Sequence, residues 1–350
     1  GSIEKKMGIN ASPTCVMHYN EAKGWLVGDL HKGMKAMFVM MNGARLMVGV
    51  QGLGIAEIAY QSSLHYANER LQGRALNGSK HLDKVADPII VHPEIRKNLM
   101  YMKSVNDGIR GLMLKAGNAF DIIDSGETSK LSQTSENLIA LLTPILKSFA
   151  TDKALEITNS ALQIYGGHGY ITDHGMEQLV RDARILPIYE GTNGIQALDL
   201  IGRKFNIHDG QIINDYLSEI EEFLIANDEE QNMQKFIELF KSSFIDLKDC
   251  VDFIRQIDTK NTKEINAHAM DFLNIFALVA VGYTWLQFIK VSQDKIKEKN
   301  DHFYLSKIQL GEFFMTKVIF ETKRFKNNIY SSGNLYNHFS DDYFETGIQQ

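Results

Sequence analysis

Apolar positions along this chain change period once, near Met34. Before it, Cys15-Val16-Met17 and Trp25-Leu26-Val27 are short apolar pieces separated by the turn-prone Asn20-Glu21-Ala22-Lys23-Gly24. That pattern predicts a hairpin, and residues 3–30 are the only stretch that reads as strand. From Met34 the spacing becomes helical: Met37, Met40, Met41, Ala44, Met47 and Val48 recur on one face, and the pattern runs to about Arg70. A loop over Gly73–Asp87 follows. Pro93 opens a second long helix, where its missing N–H leaves nothing unpaired, and Ser125-Gly126 stops it after Asp124. A third helix runs from about Ser132 to Tyr165, with Leu138, Leu141, Leu142, Ile145, Leu146 and Phe149 on one face. Pro144 inside it should break or kink it, and Gly166-Gly167 ends it.

From His168 to Asn193 periodicity fades, and Gly194 to Lys204 reads as one more helix. Asn206–Gly210 looks like a linker. Four helical runs then follow, at about 211–226, 231–256, 262–299 and 301–327, with breaks at Asn227-Asp228, Asp258–Asn261 and Asn300-Asp301. Long amphipathic helices on short connections imply antiparallel neighbours, hence a bundle. Phe272 to Ile289 has almost the length of a membrane span, but Asn274, Gly282, Thr284 and Gln287 interrupt it. It reads as a buried bundle helix rather than a span.

Composition adds limits. The 350 residues suggest two domains, and 44% hydrophobic with 23% charged residues is an ordinary globular balance. A net charge of −6 argues against a chain-wide nucleic-acid surface. The two cysteines, Cys15 and Cys250, show no metal or redox spacing, which makes a reducing cytoplasm the expected location. Gly1-Ser2 reads as a tag scar, with neither an initiator Met nor a signal segment after it, so a piece of a longer protein is expected.

Candidate chemistry gathers between Gln163 and Lys204, in QIYGGHGY and RDARILPIYEGTNGIQALDLIGRK. Gly166, Gly167 and Gly169 allow close backbone approach, for example by a phosphate. Arg181 and Arg184 flank Asp182. Glu190 stands among Ile185, Leu186, Ile188 and Tyr189, where desolvation of its charged form would suit it to act as a base. The same residues also suit a plain helix–loop–helix connector with glycine caps and a surface glutamate. Histidines 168 and 174 near Glu177 fit no zinc spacing, and no metal is expected.

QxxGGxGY, RDARI and IYEGTxxIQ, in this order between Gln163 and Gln196, resemble the C-terminal domain of acyl-CoA dehydrogenases. SPTC at 12–15 and NEAKGWLVGDLHKGMKAMF resemble the end of that family's middle β-domain. MMNGAR at 40–45 and YANERLQGR at 66–74 resemble the first helix of its C-terminal domain. The resemblance covers 3–204. The later bundle resembles the extra helical domain of a long subgroup that includes the methylmercaptopropionyl-CoA dehydrogenases.

The implied fold is mainly α: an up-down four-helix-bundle-like domain, then a second helical bundle, with a short β remnant at the N-terminus. The expected partition is 1–2 tag scar, 3–33 remnant of the β-domain, 34–205 the family's C-terminal domain, 211–327 the additional bundle and 328–350 an irregular tail. The family's N-terminal helical domain and most of its β-domain would precede residue 3. The implied reaction is α,β-desaturation of an acyl-CoA thioester. Glu190 would take the α-proton as hydride passes to FAD, and its backbone N–H would help hold the thioester carbonyl. The resemblance also implies flavin contacts for Arg70, Gln163, Gly166, Gly167 and Thr192. It implies substrate contacts for Arg45, Tyr189 and Gly191; for each arginine a surface salt bridge is the plain alternative. It further implies a homodimer or homotetramer, to which the Met-rich helix would contribute, and an electron-transfer flavoprotein as acceptor.

Some positions depart from the family pattern. Leu71-Gln72-Gly73-Arg74 stands where Phe-Gly is common, Gly194 where a flavin-contacting glutamine often stands, and Pro93 where another does. These weaken the list of flavin contacts but not Glu190. The competing reading is a helical oligomerisation and interaction module with no chemistry of its own.

Overall fold

The computed structural model describes residues 1–126, 129–258, 260–298, 301–331 and 334–346. Twelve α-helices are present among them, and no strand. The expected pairing of 15–17 with 25–27 does not form. Cys15 instead bridges antiparallel to Ile3, with Glu4 N–H donating to Thr14 O at 2.8 Å and Val16 N–H to Ser2 O at 2.9 Å. Trp25, Leu26 and Val27 are exposed. A strand pair without neighbours buries too little to hold itself together in water.

Three long helices come first: α1 (Gly33–Glu69), α2 (Pro93–Asp124) and α3 (Lys130–Tyr165). The short α4 (Met176–Ala183) and α5 (Asn193–Leu198) follow, and a π-turn over Asp199–Arg203 extends α5. Helix α3 is continuous through Pro144, contrary to the expected break. The proline costs about 3 kcal/mol. Leu141, Leu142, Ile145, Leu146 and Phe149 around it are all buried, and each contributes roughly 1.5–3 kcal/mol, so burial wins.

The remaining helices are α6 (Gln211–Asn227), α7 (Gln231–Gln256), α8 (Thr262–Ala267), α9 (Ala269–Glu298), α10 (His302–Phe313), α11 (Glu321–Tyr330) and α12 (Asn334–His338). The run expected at 262–299 is divided at His268, and that at 301–327 by a π-turn at Phe314–Val318. The tail, read as irregular, carries α12 and a 3-10 turn at Asp341–Glu345. Thr259 and Asn300, within two expected breaks, lie outside the described residues, as do the last four of the tail. The expected linker is a tight reversal: His208, Asp209 and Gly210 have φ of 50°, 55° and 83°.

Two compact units result, Gly1–Asn106 with Ala150–Thr192, and Asp107–Phe149 with Asn193–Gln350. The second is organised around α9, which packs on α7, α10 and α11. From Phe272 to Leu286 α9 is buried on nearly every side. It is long and apolar enough to cross a membrane, yet 83% of its apolar window is inside the protein. Its close neighbours need small residues. A Cβ on Gly111 would come within 2.4 Å of Phe288, and one on Gly108 within 2.5 Å of Val281.

Candidate active site

In the first unit, α4 leads into a chain of tight turns. Leu186 N–H donates to Ala183 O at 3.1 Å, and Ile188 N–H and Tyr189 N–H both donate to Ile185 O, at 2.9 and 3.1 Å. Pro187, without a donor, leaves that ladder intact. Glu190 and Gly191 then take φ of 56° and 85° in succession, the sign pattern of a type I′ turn. Glycine accepts this geometry readily. A glutamate there is strained by about 1–2 kcal/mol.

Two side chains of α1 hold the turn. Arg45 is 9% exposed, and its Nε donates to Glu190 O at 3.3 Å. It is therefore not a surface side chain, and it reaches the backbone of the expected base. Tyr189 donates its hydroxyl to Gln51 Oε1. Burial, and secondly the Glu190 carboxylate, push the Tyr189 hydroxyl up, so the phenol stays protonated. Glu190 is itself half-buried. The apolar surround expected for it is incomplete, because Ile188 is 45% exposed while Leu186 is buried. Gly191 is half-buried and Thr192 exposed.

A second group of expected residues meets elsewhere in this unit. Arg70, Gly166 and Gly167 line a cleft of about 300 Å³ with Tyr66, Gln72, Ile89, Ile164, Tyr165 and His168. Gln163 is exposed and is not among its lining residues. Gly166 has φ of 59°, and a Cβ on either glycine would meet nothing within 4 Å. Their backbone is open to a ligand.

Arg70 is fixed from below. Its N–H donates to Tyr66 O at 2.8 Å, its carbonyl accepts Ile89 N–H at 2.9 Å, and Leu71 bridges to Pro88. The loop between is gathered on the Asp87 carboxylate, which accepts N–H groups from Ala75 (2.9 Å), His81 (2.8 Å) and Lys80 (3.1 Å). Burial works against that charge. The backbone N–H groups and the Arg74 guanidinium outweigh it and hold Asp87 far below the usual carboxylate range.

The RDARI motif has a further use. Asp182 Oδ1 accepts Ile9 N–H at 2.6 Å, and Arg181 Nη1 donates to Met7 O at 2.8 Å. A Cβ on Gly8 would fall 2.4 Å from Asp182 Oδ1. Residues 7–9 are thereby latched to the helix that precedes Glu190. Sequence reasoning missed Gln51, Tyr66 and Asp87; only for Tyr66, inside YANERLQGR, was there a signal. Histidines 168 and 174 stack on each other with centroids 4.8 Å apart. No group of three or more His, Cys, Asp or Glu placed for a metal is found among the described residues.

Comparison with known proteins adds the family. The profile described as "Acyl-CoA dehydrogenase, C-terminal domain" matches residues 31–205, and "Acetyl-CoA dehydrogenase C-terminal like" matches 216–335. A 3-methylmercaptopropionyl-CoA dehydrogenase of Ruegeria pomeroyi is 45% identical over 203 residues, 58% of this chain and 34% of that protein. A butyryl-CoA dehydrogenase of Syntrophomonas wolfei is 28% identical over 336 residues, 91% of this chain and 53% of that protein. A Bacillus anthracis acyl-CoA dehydrogenase solved with FAD has a TM-score of 0.73 at 21% identity, covering 99% of this chain and 58% of that one. That last likeness speaks to fold. The chain thus spans between a third and just over half the length of these relatives. The first profile covers half of the chain, and the chain belongs to the acyl-CoA dehydrogenase family.

Proposed function

We propose that this chain supplies the catalytic base and part of the cofactor site of a flavin-dependent acyl-CoA dehydrogenase that desaturates an acyl-CoA thioester. One observation carries the reading. A glutamate occupies a left-handed turn that glycine would fill with less strain, and a buried arginine is committed to that turn's carbonyl. Strain kept on a charged residue points to work done by its carboxylate.

Glu190 removes the proton α to the thioester carbonyl. Arg45 fixes the peptide plane from which the carboxylate projects, and Tyr189, tied to Gln51, fixes the approach from the preceding residue. Gly191 keeps the backbone free of a side chain where the substrate passes. A bound flavin supplies the hydride acceptor. The Arg70 cleft suits its diphosphate, since a guanidinium and two open glycines face one space. Gln163, exposed and one residue before Ile164 of that lining, stands at its margin in this reading, and Thr192, exposed two residues after Glu190, would meet the flavin near the base. Exposed Met34, Met37, Met40 and Met47 on α1 would form the self-association surface of a dimer or tetramer. The acceptor of the electrons would be an electron-transfer flavoprotein.

The test is an anaerobic titration of the full-length enzyme carrying this sequence with straight-chain and thioether acyl-CoAs. Bound flavin should lose its visible band with at least one of them. Absence of bound flavin together with no spectral change for any thioester contradicts the proposal.

A further inference from the structure

His168 lines the Arg70 cleft, and the reading above gives it no role. Its Nδ1 lies 2.9 Å from the Tyr66 hydroxyl. That hydroxyl is 3.4 Å from Tyr165 O, its other acceptor. The Tyr66 ring stacks on Tyr165 with centroids 4.0 Å apart and planes at 15°, which fixes where the hydroxyl sits. The Tyr165 hydroxyl in turn donates to Ser62 O at 3.2 Å, and burial keeps it protonated. Stacking against His174, at 4.8 Å, restrains the imidazole.

A phenol has one proton to give. Nδ1 is the nearer acceptor, and a neutral imidazole that accepts at Nδ1 carries its own proton on Nε2. Donation to Nδ1, the nearer contact, would select the tautomer in which Nε2 is a donor, whereas donation to Tyr165 O would leave Tyr66 accepting from an Nδ1–H. A diphosphate presents oxygens on two phosphorus atoms and is best met by several donors from different directions. One cleft then offers the Arg70 charge, the open backbone of Gly166-Gly167 and an imidazole N–H.

We infer that His168 donates its Nε2–H to the diphosphate of the flavin cofactor, with Tyr66 as the positioning residue that sets its tautomer. This rests on the reading of the cleft given above. The experiment is calorimetric titration of the 350-residue chain with inorganic pyrophosphate, for the native sequence and for His168→Ala, His168→Gln, His168→Asn, Tyr66→Phe and Arg70→Ala. Losing one hydrogen bond to a charged ligand weakens binding about tenfold or more, which is the loss expected for His168→Ala. Glutamine can place its amide where Nε2 stood and should restore most of the affinity. Asparagine, which reproduces Nδ1 instead, should not. Nitrogen-15 NMR should show the Nε2–H tautomer in the native chain and a mixture in Tyr66→Phe.

If Arg70→Ala weakens binding and His168→Ala leaves it unchanged, the role of His168 is refuted and the cleft stands. An Nδ1–H tautomer in the native chain refutes the Tyr66 step. Pyrophosphate affinity too weak to measure, or indifferent to Arg70 as well, removes the reading of the cleft and the inference together.

Discussion

Replacing Glu190 by glycine should leave the chain more stable than replacing it by alanine. Both changes remove the carboxylate, so the difference between them isolates the backbone. At φ of 56° an alanine carries the left-handed penalty of about 1–2 kcal/mol. Glycine escapes it but loses more conformational freedom on folding, about 0.4–1 kcal/mol. The net gain for glycine is about 0.8 kcal/mol at the middle of the two ranges. In a unit of this size that is a melting shift of roughly 1–4 °C. Urea unfolding of Glu190→Gly and Glu190→Ala would measure it. The same pair at Glu136, inside α3, should give the opposite sign, with glycine the less stable by about 1 kcal/mol. A glycine no better than alanine at 190 would mean that the turn holds no strain for function to explain.

Further outcomes follow from other contacts. Arg45→Ala removes a charged donor from Glu190 O, a loss of about 1.5–3 kcal/mol; turnover of the full-length enzyme should fall about tenfold or more while flavin content is kept. Burial pushes the Cys250 thiol up to about 12, so a thiol reagent at pH 8 should modify exposed Cys15 quickly and Cys250 only after denaturation. Unfolded Cys250 ionises above about 8.5 and the folded thiol does not. Its contribution to stability is therefore complete below that pH and lost as pH rises towards 12; Cys250→Ala should flatten the slope of urea midpoints against pH. Gly111→Leu drives atoms into Phe288 and Thr284, and should destabilise the second unit by about 1–3 kcal/mol or more in the same unfolding assay.

Helices were legible where periodicity was long and packing agreed with it. The second helix begins at Pro93 and ends at Asp124, as its proline and Ser125-Gly126 imply. Phe272–Ile289 was readable as a core helix because its polar interruptions are compatible with burial between helices. Pro144 misled because a local rule met a cluster of core leucines and isoleucines whose contribution is not local. The hairpin misled because strands need partners, and pattern alone does not say whether they are there. His268 ends a helix with no glycine or proline to announce it.

The site divides the same way. Glu190 stands out in sequence through its motif, yet its left-handed backbone does not, since only the folded turn reveals φ. Arg45 was marked by MMNGAR, but its grip on Glu190 O joins residues 145 positions apart. Asp87 carried no signal at all; its charge matters only because three backbone N–H groups converge on it.

The most direct test of the central claim is the rate at which an acyl-CoA bleaches the flavin of the full-length enzyme, compared with Glu190→Gln. Glutamine keeps the shape and loses the base, so the rate should fall about 10²–10⁴-fold with flavin content and melting temperature unchanged. A Glu190→Gln enzyme that bleaches at close to the native rate would show that another group takes the α-proton.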